Sequence, residues 1–261
     1  MRKKDYVNIP ITDLSNYFVV SDFDRTITSG ISTNSWCVLD ENESVCEEYK
    51  QEMEALQNHY HKIEIDPDVP DDIKFKEMTD WWNKHLELFI KYKFTEDLFH
   101  KTSSDKSVME LRKGFKRFLN FLKERNVPLV IISAGLTNVI KAFLIEHDID
   151  LDNIYIISNE IYFENGVAKG IAHDIIHSMN KSEVSLPEEL TEKLKGRNNV
   201  LLFGDNLKDY LMVDKENHDD VLEVAFVNEG NKKYTEDFFE NYDIILDENE
   251  DFNTVLEKII I

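Results

Sequence analysis

The sequence predicts an α/β fold, a Rossmann-like parallel sheet core with an inserted helical domain. Three observations carry this. Apolar runs of strand length recur along the chain. Helical patterns separate them, as expected when both faces of a parallel sheet are covered. One long stretch, residues 29–106, breaks the alternation with polar–apolar helical periodicity and little strand character.

The elements follow in order. Tyr17–Ser21 (YFVVS) reads as a buried strand running into DFDRTIT. In the insert, CEEYKQEMEALQNHYHKIEI and KFKEMTDWWNKHLELFIKY each read as an amphipathic helix. The run Asp66-Pro67-Asp68-Val69-Pro70 separates them. A helix is expected over Val108–Arg125, then a second strand over Pro128–Ser133 and a helix over Asn138–His147. The β-rich segment Ile154–Gly170 reads as a hairpin turning at Glu164-Asn165-Gly166. Val200–Phe203 is a third strand, ending in GDN, with a helical pattern over Leu207–Val213. Strands at Leu222–Val227 and Tyr242–Leu246 and a helix at Phe252–Ile259 complete the core. The expected division is 1–28 plus 107–261 as the α/β core and 29–106 as the helical insert.

Charge bounds the function. Against 30 Lys and Arg stand 52 Asp and Glu, a formal net charge of −22. An extended nucleic-acid groove needs a basic stripe, and an anionic membrane surface repels such a chain. A small phosphate ester remains possible where a metal and a few local cations neutralise it. Cys37 and Cys46 are too few for a disulfide framework or a zinc site, and read as thiols in a reducing compartment. The start MRKKDYVNIPITDL has no apolar run behind its basic residues, and no stretch approaches the roughly 20 apolar residues of a membrane span. The expectation is a soluble, cytoplasmic protein.

In open parallel sheets ligands bind at the carboxyl ends of the strands. Three such ends carry suitable groups: Asp22-Phe23-Asp24, Ser133-Ala134-Gly135, and Gly204-Asp205-Asn206 with Asp209 beyond. Lys181 follows the hairpin segment in SMNKSE. The set fits phosphoryl transfer from an ester to water. Alternate residues of an extended segment point the same way, so Asp22 and Asp24 can share a site. Asp22 can attack phosphorus and form an aspartyl-phosphate. Asp24 can protonate the leaving alkoxide and then deprotonate water. A hard cation with oxygen ligands, most simply Mg2+, would neutralise the crowded carboxylates, with Asp22, Asp24 and Asp205 near it. Ser133 and backbone N–H groups around Gly135 can hold phosphate oxygens. Lys181 can offset transition-state charge, and Asp209 can hold Lys181 or a metal-bound water.

DFDRTIT, IISAG, the NK of SMNKSE and GDNLKD resemble, in order, the four motifs of haloacid-dehalogenase (HAD) superfamily phosphatases. The second Asp of the pair points to phosphatases rather than dehalogenases. Within the superfamily, YHKIEIDPDVP…MTDWWNKHLELF, SNEIYFENGVAKG and IIHSMNKSE are similar to the cytosolic pyrimidine 5′-nucleotidases. That resemblance implies the HAD fold with the insert as a cap, Mg2+, and a nucleoside monophosphate, pyrimidine above all, as substrate. It also implies a base-contacting carboxylate at Glu64, and puts His85 where the family carries a Ser in its substrate pocket. Two other readings stand beside it: a phosphatase of another small metabolite such as phosphoserine, and a non-catalytic binding protein on the same scaffold.

Overall fold

A computed structural model describes residues 2–3, 11–66, 68–103, 108–181 and 186–260. The main sheet has seven strands. They are β1 (Arg2–Lys3), β2 (Tyr17–Ser21), β3 (Leu129–Leu136), β4 (Ile154–Asn159), β7 (Asn199–Gly204), β8 (Asp220–Phe226) and β9 (Ile244–Leu246), in the order β1-β9-β8-β7-β2-β3-β4. Every neighbouring pair is parallel except β1 with β9. Strands β5 (Ile161–Glu164) and β6 (Val167–Ile171) form a separate antiparallel pair.

Alternation sorts the side chains of the central strands to two faces. Val19, Leu129, Ile131, Leu201 and Phe203 join one core, which takes in α4 (Phe115–Glu124), α5 (Thr137–Glu146) and α8 (Phe252–Lys258). Phe18, Val20, Val130, Ile132, Val200 and Leu202 join the other, under α6 (Glu188–Leu194) and α7 (Thr235–Asn241). Both faces are buried, so these strands read as unbroken apolar runs.

From β2 the chain builds β3 and β4 on one side, then returns to place β7, β8 and β9 on the other. The switch point lies between β2 and β7, where the connections diverge and leave a crevice. Phe203, near the end of β7, accepts from Asp22 N–H at 2.9 Å, so the two strand ends are tied together there.

Helices α1 (Glu47–Ile65), α2 (Asp71–Lys91) and α3 (Glu96–Ser103) stand between β2 and α4. Tyr49, Met53 and Tyr60 recur at helical spacing on the buried face of α1, and Glu47 and Glu48 oppose the dipole in its first turn. Asp71 and Asp72 do the same for α2, whose buried face holds Met78, Trp81, His85, Leu88 and Phe89. The ammonium of the buried Lys74 donates to Glu64 O at 3.0 Å, capping the end of α1 from α2. At the root of the insert, Ser29 N–H donates to Glu110 O and Thr33 N–H to Val108 O. The expected boundary at Lys106 lies outside the described residues, as does Pro67 of the expected separator.

Three expected elements differ. The segment Ile154–Gly170 is not one hairpin: Ile154–Asn159 pairs with β3 as the edge of the main sheet, and only β5–β6 turns back, at Asn165-Gly166 with φ of +52° and +75°. That smaller pair braces the root of the insert, with Glu96 N–H donating to Gly166 O and Ala168 N–H to Phe94 O. The helix expected from Val108 begins only at Phe115, because Leu111 bridges to Thr28 and Gly114 turns the chain at φ +79°. The pattern Leu207–Val213 yields a short 3-10 turn, Asp209–Met212.

Candidate active site

Asp22 lies one residue past β2, Asp205 one past β7, and Asp209 opens the 3-10 turn that follows. All three are buried, and one carboxylate oxygen from each lies within 4.8 Å of the others. Among the described residues this is the single cluster of metal-ligating groups. The turn is set by Asp209 itself, whose Oδ2 accepts from the N–H groups of Asp205 (3.1 Å) and Asn206 (3.0 Å). Gly204 allows the approach: a Cβ there would meet Asp209 Cβ at 2.5 Å.

Lys181 reaches the cluster from a segment 159 residues beyond Asp22. Its ammonium donates to Asp22 Oδ1 at 2.5 Å and to Asp209 Oδ1 at 2.9 Å. The segment leading to it is held from β4. The buried Asn159 side chain accepts from Ile176 N–H (2.8 Å) and donates to Ile176 O (2.7 Å) and Ala134 O (2.9 Å). One amide thereby joins the approach to Lys181 to the carboxyl end of β3.

Burial opposes the charge of Lys181, yet the anions of Asp209 and Asp22 hold its pKa above the usual lysine range. Burial pushes Asp22 well above the carboxylate range against the pull of Lys181, with Asp209, Asp205 and Asp24 adding to the rise. Asp205 is pushed up to about 7 by burial and then by Asp209. Three crowded carboxylates with one ammonium leave excess buried negative charge, which is costly without a partner. An all-oxygen donor set of this kind suits a hard divalent cation.

Asp24 departs from the expected geometry. The strand ends at Ser21 and the chain turns over Asp24–Ile27, with Arg25 at φ +57°, so the alternation that would align Asp24 with Asp22 does not continue. The Asp24 side chain is not in the acidic cluster. Its Oδ1 accepts from Ser35 N–H at 2.7 Å and its Oδ2 from Ser35 Oγ at 2.8 Å. It lies instead beside the carboxyl end of β3: a Cβ on Gly135 would meet Ser35 Oγ at 1.8 Å and Asp24 Oδ2 at 3.2 Å. Burial raises the Asp24 pKa, and the Ser35 bonds restrain the rise. Ser133, also buried, accepts from Gly135 N–H at 3.0 Å.

The insert meets this site through α2 and the segment before Lys181. Trp82 Nε1–H donates to Ala134 O at 2.9 Å. Thr79 Oγ1 and His177 Nε2 lie 3.0 Å apart, and Ser178 Oγ donates to Glu64 Oε1 at 3.0 Å. Glu64 is therefore at the seam between insert and core. His85 is not: it is 2% exposed, its Nε2 accepts from Trp81 Nε1–H at 3.1 Å, and its ring stacks on Trp36. The substrate contact expected of His85 is corrected by this burial. The helical periodicity of α2 turns it inward with Trp81 and Phe89.

Ser35, Asn159, Asn228 and Arg112 were not legible as site residues. Asn228 carried a usable signal, since it follows the carboxyl end of β8 as Asp205 follows that of β7. Asn159 stands in the segment SNEIYFENGVAKG, and Ser35 and Arg112 belong to no motif.

A family model described as pyrimidine 5′-nucleotidase (UMPH-1) matches residues 22–260. The chain belongs to this family. The nucleotidase is 31% identical over 245 residues to the 7-methylguanosine phosphate-specific 5′-nucleotidase of Homo sapiens, covering 91% of this chain and 81% of the relative. It is 30% identical over 257 residues to a putative cytosolic 5′-nucleotidase 3 of Caenorhabditis elegans, covering 93% and 68%. Among solved structures, cytosolic 5′-nucleotidase IIIB bound to cytidine superposes with a TM-score of 0.83 at 26% identity, covering 92% of this chain and 83% of that one. A probable phosphoserine phosphatase from Vibrio cholerae superposes at 0.61 with 14% identity, covering 94% and 65%, a likeness of fold alone. The fold is that of the HAD phosphatases, and the protein is a phosphoric monoester hydrolase of the 5′-nucleotidase kind. Among the described residues no helix is long and apolar enough to cross a membrane.

Proposed function

We propose that this nucleotidase hydrolyses nucleoside 5′-monophosphates through an aspartyl-phosphate on Asp22, with Mg2+ held by Asp22, Asp205 and Asp209. The observation that carries this reading is the convergence of Asp22, Asp205, Asp209 and Lys181 at the switch point of the sheet. Bound Mg2+ would offset the negative charge of the carboxylates and of the phosphate.

The chain's own groups account for the protons. An Asp22 oxygen attacks phosphorus as the bond to the ribose 5′-oxygen breaks. Asp24, protonated at the start, gives its proton to that oxygen. The raised Asp24 pKa is the direction a general acid needs near neutral pH. The resulting carboxylate then takes a proton from water, whose oxygen attacks the phosphoryl group and frees Asp22. Lys181 supplies a fixed positive charge beside the nucleophile throughout. Ser133 and the backbone around Gly135 hold the phosphate oxygens, and α1–α3 act as a cap that shields the reaction from water.

Glu64 is the candidate base reader. A carboxylate can accept from the exocyclic amine of cytosine. It also suits 7-methylguanine, whose exocyclic amine and ring N–H are donors and whose ring is cationic. The relative from Homo sapiens is named for that nucleotide, and the solved neighbour holds cytidine. Phosphoserine is favoured by fold likeness alone.

The test is a substrate panel on the purified protein. It comprises cytidine, uridine and 7-methylguanosine 5′-monophosphates, phosphoserine and p-nitrophenyl phosphate, each with Mg2+ and with chelator. The expected result is Mg2+-dependent turnover with the highest kcat/KM among the nucleotides. Full activity in chelator, or a preference for phosphoserine, would overturn it.

A further inference from the structure

We propose that Arg112 and Asn228 form a positioning pair that fixes the Asp205 carboxylate for metal binding, with Gly30 leaving the space they need. The inference rests on the metal reading above and concerns residues outside the four motifs.

Asn228 is buried, two residues past β8, and its side-chain amide is fully engaged. Its Nδ2 donates to Asp205 Oδ2 and to Arg25 O, each at 3.1 Å. Its Oδ1 accepts from Arg112 Nη2 at 2.9 Å. A guanidinium only donates, so the amide oxygen must face Arg112 and the NH2 must face the carboxylate. Turned over, the amide would set its oxygen against both an anion and a backbone carbonyl. Arg112 thus decides which end of Asn228 meets Asp205.

Arg112 is itself fixed. It is 7% exposed, lies over the Phe226 ring at 4.2 Å, and its Nε donates to Thr26 O at 2.7 Å. Its Nη2 also donates to Arg25 O. The pair therefore joins three parts of the site: the turn after the nucleophile, the end of β8, and Asp205 at the end of β7. Asn231 adds a bond from its Nδ2 to Asp205 O at 2.9 Å. Gly30 closes the other side. A Cβ there would meet Asn228 Oδ1 at 2.2 Å, and three hydrogen bonds keep that amide from moving aside.

Partners that orient a metal ligand are typically worth about 10–100-fold in metal affinity. The experiment measures the Mg2+ dissociation constant by calorimetric titration with Mg2+ alone, and KM for Mg2+ in turnover, for wild type, Asn228→Ala, Arg112→Lys and Gly30→Ala. Asp205→Asn serves as the reference. Each of the three variants is expected to weaken Mg2+ by about 10–100-fold. KM for Mg2+ should rise in step, while kcat at saturating Mg2+ changes less. A role confined to stability would lower the unfolding temperature and leave Mg2+ affinity alone. Affinity within twofold of wild type in Asn228→Ala and Gly30→Ala overturns the proposal, and those two variants carry the test if Arg112→Lys does not fold. Unchanged Mg2+ binding by Asp205→Asn would instead overturn the metal reading itself.

Discussion

Asp22 and Glu64 mark the two ends of what single residues are expected to do. Asp22 touches Lys181 and lies in the buried acidic cluster, and the proposed mechanism makes its charge the reacting group. Asp22→Asn keeps the size and removes that charge. Turnover of a nucleoside monophosphate should fall by several orders of magnitude, the scale of losing a nucleophile. Near-normal turnover, with deamidation excluded by mass spectrometry, would remove Asp22 from the mechanism. Glu64 bears on selectivity. Glu64→Gln should lower kcat/KM for cytidine and 7-methylguanosine monophosphates by about 1–3 kcal/mol, the worth of one good base-edge contact. p-Nitrophenyl phosphate offers no amine and should respond little. Glu64 also accepts from Ser178 Oγ at 3.0 Å, in the segment that delivers Lys181. Equal losses on all substrates would assign Glu64 to that seam instead of to the base.

At the scale of elements, α2 shows how one helix serves core and site together. Trp82 donates to the carboxyl end of β3, whereas Trp81, His85 and Phe89 turn inward. Burial pulls the His85 pKa down from 6.5 to about 3. Between these two values the unfolded chain takes a proton at His85 and the folded chain does not. Stability therefore falls with acidification through this window, by at most about 1.4 kcal/mol per pH unit for one such group. Above about pH 6.5 both states are neutral at His85 and its contribution is flat. In denaturant titrations across pH, His85→Gln should lose this share of the slope below that point and differ from wild type by a constant above it. A wild-type minus variant difference that does not vary with pH would mean His85 titrates normally in the fold. His177, packed against Phe75 and Trp82, is pulled down by burial to about 4 and adds a second slope of the same sign.

The whole molecule folds around a concentration of negative charge. With a net charge of −22 and three buried carboxylates at the switch point, the folded state should gain from any divalent cation that occupies them. Binding to the folded state alone stabilises by about 2.7 kcal/mol at a hundredfold excess over the dissociation constant. Thermal unfolding should therefore shift upward on replacing chelator with Mg2+. The shift should vanish in Asp205→Ala. A shift of equal size in that variant would place the stabilising cation elsewhere.

The sequence by itself determined the α/β class, the run of strand ends that carry chemistry, and the helical character of residues 46–65 and 74–92. These are local properties. Apolar runs buried on both faces and amphipathic repeats are written in consecutive residues, so β2 and the two long helices emerge close to their expected bounds. Where contacts across the chain override local pattern, the reading failed. Ile154–Asn159 has hairpin-like composition but finds a parallel partner in β3, and Leu207–Val213 has helical periodicity but is turned by the Asp209 side chain. The site divides in the same way. The motifs supplied Asp22, Ser133, Lys181, Asp205 and Asp209 as candidates. Only the tertiary structure decided that Asp24 leaves the carboxylate cluster for Ser35, that His85 is core, and that Arg112 meets Asn228 across 116 residues of chain. A hydrogen bond between such distant residues leaves no periodicity in sequence, because its geometry exists only once β2, β7 and β8 lie side by side.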